Sequence, residues 1–343
     1  MSMTMVNHSD GRAAQRKFRP ARLITNFWLL AALIVLTLTI AWMRPQLLDA
    51  GNVATILKSF SIMAVMVLGV TWVFAAGKID VSFMQVAALS NMTCAYCLAN
   101  GWGWMSAIAA ALSAGLVIGV INGWLVAVMR LPALIVTIAM AGFCASIAAA
   151  LGKGTVIRIA GSGPLSGLLE PAAGQSVPLI VLPVVLISFI GWFVQERLAL
   201  GRYIYAMGTN ESAVRSVGVP VTRIMIYLYV LSAMCAALAG VMLAESLSSG
   251  QPLIGGPFLI NGLTVVLLGG MMVRIGRPNI LGTLTATLFI GVLFSGAALL
   301  GLPDYQRQII QGTLLLVGLV VAVVAARQHK AAVGGGRQRV NEG

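Results

Sequence analysis

Residues Val81–Met129 read VSFMQVAALSNMTCAYCLANGWGWMSAIAAALSAGLVIGVINGWLVAVM and hold no charged side chain. The hydrocarbon core of a bilayer is about 30 Å thick, and a helix of about 20 apolar residues crosses it, so this stretch is too long for one crossing. Asn100-Gly101-Trp102-Gly103 is a turn signal near its middle. It divides the stretch into two spans, near Phe83–Ala99 and Trp104–Met129. Outward from this pair lie eight more apolar runs: Ile24–Met43, Ser59–Gly77, Pro132–Leu151, Val177–Gln195, Ile224–Ala244, Leu259–Val273, Ile280–Leu300 and Gln308–Ala326. The reading is an all-α polytopic membrane protein of about ten transmembrane helices. The eighth is short and ends in Gly269-Gly270, so it is expected to be broken or tilted.

Composition leads to the same class. Of 343 residues, 59% are hydrophobic and 9% charged, against about 25% charged in soluble domains. The net charge of +13 would point to nucleic acid in a soluble protein. Here the basic residues sit between apolar runs, where they write topology by the positive-inside rule. With a cytoplasmic N-terminus, 17 Lys/Arg fall on inside segments and 5 (Arg44, Lys58, Lys153, Arg158 and Arg307) on outside ones. Both termini are therefore expected in the cytoplasm, with lipid and not nucleic acid as the surrounding partner. Residues 1–22 form a basic tail, 23–326 the helical domain and 327–343 a second tail, with no soluble domain on either side. The apolar run after the basic tail exceeds the 7–15 residues of a cleaved signal peptide, so it reads as an anchor that stays.

Several chemistries are missing. His8 and His329 lie in the tails, and Cys94, Cys97, Cys144 and Cys235 lie inside apolar runs without a second pair to complete a metal site. Nothing in the chain calls for a metal or a cofactor. No GxxxxGK[ST] phosphate loop occurs. Ion-coupled transporters place ionisable groups near the bilayer centre, whereas Asp80 and Glu245 lie at span ends. An energy source is expected in a partner chain.

Neutral groups within the spans leave two uses open. Gly115, Gly119 and Gly123 recur every four residues on one face of the fourth span, with Ala233, Ala236, Ala237 and Gly240 a looser version in the seventh. Small residues let membrane helices approach closely, whether within one subunit, at a dimer interface or along a path. Gln85, Asn91, Asn122 and Asn261 suit either interhelical hydrogen bonds or contact with a polyhydroxylated solute.

One connection is long: residues 196–223, ERLALGRYIYAMGTNESAVRSVGVPVTR. Asn210 can cap a short helix from Glu211, and Gly218 can end it with Pro220 beyond. Such a helix presents Glu211 and Arg215, four residues apart, either to each other or to a soluble partner.

That connection resembles the cytoplasmic coupling segment of ribose/autoinducer-type permeases of ATP-binding-cassette (ABC) importers, within the branched-chain amino-acid/ribose permease superfamily. GRYIYAMGTNESAVRSVGVPVTRI is similar to the family pattern GRxxYAIGGNExAAxxSGIxVxRx. Ile79-Asp80-Val81-Ser82 resembles GGIDLSxG, Gln251-Pro252 resembles an outside S-x-QP, and Leu268-Gly269-Gly270 through Gly282-Thr283 resembles LGGxSxxGGxGxxxGT. The chain departs from these patterns at Lys78, Met84, Ser212, Ile275 and Pro278. The resemblance implies a type II importer-like permease in a bacterial inner (plasma) membrane, paired with an identical or related permease. It implies cytoplasmic ABC ATPase subunits docked on Asn210, Glu211, Ala213, Arg215, Gly218 and Val219. A periplasmic solute-binding protein would deliver a sugar or sugar-like solute. Asp80 and Ser82 with Gly269 and Gly270 are candidate gate elements, and Asn122 and Asn261 candidate solute-path residues. The alternatives are a branched-chain amino-acid-type permease and an ion-coupled secondary transporter. A membrane enzyme is disfavoured, since no His, Cys or carboxylate cluster converges in the spans.

The expected topology has a direct check. Cysteine-directed labelling of intact cells should reach a probe at position 162, in the outside segment 152–176, and miss one at position 212. The reverse pattern would exclude the ten-span arrangement.

Overall fold

In a membrane, lipid tails are as apolar as leucine, so helices associate through close packing and hydrogen bonds instead of hydrophobic burial. The helix Val221–Ser246 shows how this chain does it. The computed structural model describes residues 27–170, 177–273, 276–317 and 320. Its helices are α1 Trp28–Met43, α2 Ala50–Ala75, α3 Phe83–Ala99, α4 Trp104–Ala127 and α5 Ala133–Leu151. They continue with α6 Ser166–Leu169, α7 Val181–Arg197, α8 Ala199–Thr209, α9 Glu211–Ser216, α10 Val221–Ser246, α11 Gly255–Gly269 and α12 Ile280–Leu299. Residues 304–317 are also helical. A two-residue ribbon pairs β1, Ile157–Arg158, antiparallel to β2, Ser249–Gly250.

The packing centres on α10, which lies against α2, α3 and α4. Glycine makes each approach close. A Cβ added at Gly69 of α2 would lie 2.5 Å from the Ser232 backbone, and one at Gly119 of α4 2.7 Å from Val230 Cα. At Gly240 of α10 itself it would meet the Ala87 carbonyl of α3 at 2.2 Å. Gly115 faces Ala237 and Gly123 faces Ile226 in the same way. The glycine stripe of the fourth span is therefore a packing surface within the subunit. Helices α2 and α10 are mostly buried by their neighbours, whereas α4 and α5 keep broad exposed apolar faces. Cys94 and Cys97 pack in an apolar cluster with Ala107, Ala111 and Val241.

Helices α2, α4, α5, α10 and α12 are each long and apolar enough to cross a membrane, and α7 with α8, bent by 68°, makes a sixth. Helices α1, α3 and α11 are apolar but shorter. Helix α11 begins at Gly255 and ends at Gly269, so the eighth run is a short helix followed by an irregular turn. The last expected span reaches beyond residue 320, and both expected tails, with residues 171–176 and Arg274-Ile275, also lie outside the described residues.

Loops meet in two groups, one at each end of the bundle. At one end the Gly77–Lys78 turn touches α8 and α9, and the end of α7 touches the Pro278–Ile280 turn. At the other lie the ribbon and the carboxylate of Glu245, which accepts from the Leu165 N–H at 3.1 Å.

Because Val230 presents backbone to Gly119, no rotamer change can accommodate a side chain there. Gly119→Leu should destabilise the protein by about 1–3 kcal/mol, the usual cost of overpacking, seen as earlier thermal aggregation in detergent. Gly142→Leu on α5, where an added Cβ meets nothing within 4 Å, should leave the transition unchanged.

Candidate functional site

The long connection holds two helices where the sequence indicated one. Helix α7 ends at Arg197, and extended backbone at Leu198 (φ −90°, ψ 163°) turns the chain into α8. The turn is tight: a Cβ at Gly201 would lie 1.8 Å from the Gln195 carbonyl oxygen. Helix α8 buries Gly201, Ile204, Tyr205 and Met207, at helical spacing. The sequence carried this signal, but it was absorbed into the approach to Asn210. Extended backbone at Asn210 then ends α8 and starts α9, and its Oδ1 accepts from the Ala213 N–H at 3.1 Å. Capping of this kind contributes about 1 kcal/mol. Helix α9 stops at Ser216, and Gly218 has φ +83°, a left-handed conformation that suits glycine.

The expected docking residues divide by face. Ser212, Ala213, Ser216, Val217 and Gly218 are exposed, Val214 is buried and Val219 half-buried. An added Cβ at Gly218 would meet nothing within 4 Å, so this corner is open to a partner. Glu211 and Arg215 pair at 3.0 Å as the spacing indicated, and Arg215 also donates to Thr222 Oγ1 at 3.2 Å.

Glu211 has a second partner that sequence reasoning missed. Lys78 Nζ lies 2.9 Å from Glu211 Oε2. The Lys78 hydrogen bond, with a smaller contribution from Arg215, holds the Glu211 carboxyl below its ordinary range against the opposing effect of burial. A carboxyl whose folded value is depressed stabilises the fold above its unfolded value and loses that contribution as pH falls through the folded value. The contact therefore persists at neutral pH and is lost only on acidification below the usual carboxylate range. Beside it, Gly77 (φ +76°) and Gly208 bring α8 against the end of α2; a Cβ on Gly208 would sit 2.3 Å from the Ala75 carbonyl.

Two residues past Lys78, Asp80 is fully buried. Its Oδ1 accepts from the Ser82 N–H at 2.9 Å and the Ser82 hydroxyl at 2.6 Å, and Oδ2 accepts from the Ser232 hydroxyl at 2.7 Å. Asn122 Nδ2 donates to Ser82 Oγ at 2.9 Å. Asp80 thus joins the start of α3 to α10 and, through Ser82, to α4. A buried charge needs such donors, and the carboxylate here has three. The sequence brought Asp80 and Ser82 forward in one motif and Asn122 apart from them, and the fold joins all three in one network.

The second candidate gate lies elsewhere on the same end. Gly269 and Gly282 touch backbone to backbone; a Cβ on Gly282 would lie 1.9 Å from the Gly269 oxygen. Asn279 caps α12 by accepting from the Gly282 N–H at 2.8 Å, and it donates to the Met272 carbonyl at 2.7 Å. Gly270 packs near Pro278. Thr71 of α2 and Thr283 of α12 share a buried hydrogen bond at 3.1 Å. The long connection reaches the turn through Gln195, which donates to the Pro278 carbonyl at 3.1 Å and accepts from the Ile280 N–H at 3.0 Å. Arg277 also lies over the Tyr205 ring, 5.9 Å from its centroid. Sequence reasoning passed over Gln195, although a glutamine closing an apolar span is an available signal.

The remaining polar candidates sit away from this end. Asn91 is spent on structure, donating to the Ser249 carbonyl at 3.1 Å and accepting from the Gln251 N–H at 2.7 Å. Asn261 accepts a hydrogen bond from Gln311 beside a cavity between α11 and the helix at 304–317. Among the described residues, no group of three or more His, Cys, Asp or Glu could hold a metal ion.

Known proteins carry the same pattern. The family model described as branched-chain amino acid transport system / permease component matches residues 52–319. The ribose import permease protein RbsC of Escherichia coli K12 is 31% identical over 316 residues, covering 88% of this chain and 96% of that one. The L-arabinose ABC transporter permease protein AraH of Azospirillum brasilense is 26% identical over 345 residues, covering 96% and 99%. A solved structure described as an inward-facing conformation of a metal-chelate type ABC transporter shares the fold at TM-score 0.51 and 14% identity, covering 88% of this chain and 99% of that one. Since the family model spans most of its length, the chain belongs to the branched-chain amino acid transport system / permease component family, as an ABC importer's permease subunit: a transport component and not an enzyme.

Proposed function

We propose that this chain and a second permease, identical or related, form the path of an ABC importer that brings a sugar or sugar-like solute into a bacterial cell across the inner membrane. In this reading the chain makes ten crossings with both tails in the cytoplasm, and α9 is the handle on which an ATPase subunit docks. A periplasmic binding protein delivers solute at the ribbon end. The sugar assignment draws on relatives whose names specify ribose and arabinose import. Ten crossings accord with the two groups of loops that meet at opposite ends of the bundle among the described residues.

One observation carries the mechanism: the connection α7–α8–α9, which ends in a capped helix, is joined by side chains and backbone contacts to two separate turns. Through Glu211–Lys78 and Gly208–Gly77 it holds the turn leading to Asp80. Through Gln195 its base holds the turn between α11 and α12. A push on α9 from a closing ATPase dimer then reaches both turns at once. Asp80, Ser82, Gly269 and Gly270 act as the gate elements, with Asn122 fixing Ser82 and so the start of α3. The docking face is Asn210, Glu211, Ala213, Arg215, Gly218 and Val219. Lys78, a departure from the family's glycine, supplies a strut that a glycine could not.

Gly218→Trp combines strain at a positive φ with bulk in the open corner. It should abolish solute-stimulated ATP hydrolysis by the assembled complex while membrane insertion stays normal. Unchanged stimulation would put the docking site elsewhere.

The strut is tested by charge exchange. The Lys78 and Glu211 side chains are about a third exposed, and pairs of that kind are worth about 0–1 kcal/mol. Lys78→Glu should therefore lower coupled transport by at most about fivefold, the equivalent of 1 kcal/mol. Lys78→Glu with Glu211→Lys should restore it; a double variant no better than the single one would show that the pair transmits nothing.

A further inference from the structure

Three adjoining cavities open from the ribbon end of the bundle. The first, of about 590 Å³, lies between the start of α2 and the segment before residue 171, with Lys58, Ser59 and Phe258 in its wall. It shares Ser59 and Phe258 with a smaller one of about 110 Å³ that includes Asn261, Thr287 and Phe294. That one shares Asn261 and Phe294 with a third of about 450 Å³, which Arg307 and Gln311 also line. Asn261 is thus common to the second and third cavities.

The chemistry of these walls is selective. Charges near the openings are neutralised: Lys58 pairs with Glu170 at 2.6 Å, and Arg307 pairs with Asp304. A zwitterionic or anionic solute would find no free counter-charge there, and a charge removed from water without one is strongly disfavoured. The second and third cavities also hold neutral amides. Gln311 is 5% exposed and donates to Asn261 Oδ1. Among the described residues no hydrogen bond is formed by Gln311 Oε1 or Asn261 Nδ2. One acceptor and one donor are therefore left beside the aromatic rings of Phe258 and Phe294. A few placed polar groups in a mostly apolar and aromatic wall are the usual make-up of a small-molecule site. A hydroxyl that both donates and accepts suits the amide pair, and the C–H face of a sugar ring suits the phenyl groups.

We propose that Asn261 and Gln311 form a solute-contact site within the single subunit, selecting a neutral polyhydroxylated solute over a charged one as it enters from the ribbon side. The proposal rests on the importer reading above and adds to it the residues that discriminate.

The test uses the complete complex of both permeases, ATPase and binding protein in proteoliposomes, with labelled D-ribose and L-arabinose as probes. Asn261→Leu and Gln311→Leu should each raise the apparent KM for uptake by about tenfold, the size expected for one lost buried hydrogen bond. Thr313→Val, at an exposed position on the same helix, serves as the control and should match wild type. In parallel, Asn261→Cys should react with a small hydrophilic methanethiosulfonate added at the ribbon side, above the background of the native cysteines, and solute should slow the reaction. Wild-type kinetics in both leucine variants would overturn the proposal while leaving the importer reading intact. So would an inert Asn261→Cys beside a reactive Thr55→Cys at the first cavity. A wild-type complex that imports neither sugar would instead overturn the importer reading and the proposal with it.

Discussion

Close backbone contact along α10 is the constraint on which the rest of the molecule depends. Without hydrophobic pressure between helices in lipid, polar groups meet at hydrogen-bond distance only if the backbones come near enough. Gly69 illustrates the dependence. Its missing Cβ lets α2 lie on the Ser232 backbone, and Ser232 is the residue that completes the partners of Asp80. Gly119 and Gly123 bring α4 to the same helix and thereby bring Asn122 to Ser82. The small residues and the buried carboxylate belong to one arrangement: remove the first and the second loses its donor on α10.

The same economy governs the docking end. Gly201, Gly208 and Gly77 let α8 fold back against the bundle, so that α9 stands on a fixed base. A loop of similar length without that base would absorb a displacement in its own torsions. Here the connection is held by an ion pair at Lys78 and a double hydrogen bond at Gln195. Each contact is weak alone, and their value lies in joining one connection to two turns.

The two ends of the subunit also differ in chemistry. The end that holds α8 and α9 gathers short capped elements and the Lys78–Glu211–Arg215 contacts. At the ribbon end the charges that line the cavities are paired, Lys58 with Glu170 and Arg307 with Asp304, and neutral amides lie beside aromatic rings.

Much of this was legible in the residues. The apolar runs, the turn at Asn100–Gly103, the cap at Asn210 and the stop at Gly218 follow from local rules of length, hydropathy and backbone conformation. So does the Glu211–Arg215 pair, since four residues on a helix fix the separation. What tertiary structure decided are contacts between positions far apart in the chain: Lys78 with Glu211, Asp80 with Ser232, Gln195 with Pro278 and Ile280, Thr71 with Thr283. The residues gave no means of choosing between packing and path for the glycine stripe, nor between interhelical bonding and solute contact for Asn91 and Asn261. The physical reason is common to all of them. A side chain's local setting fixes what it is able to bond, but which distant group comes within 3 Å depends on how the helices cross, and that is set by the sum of their packing.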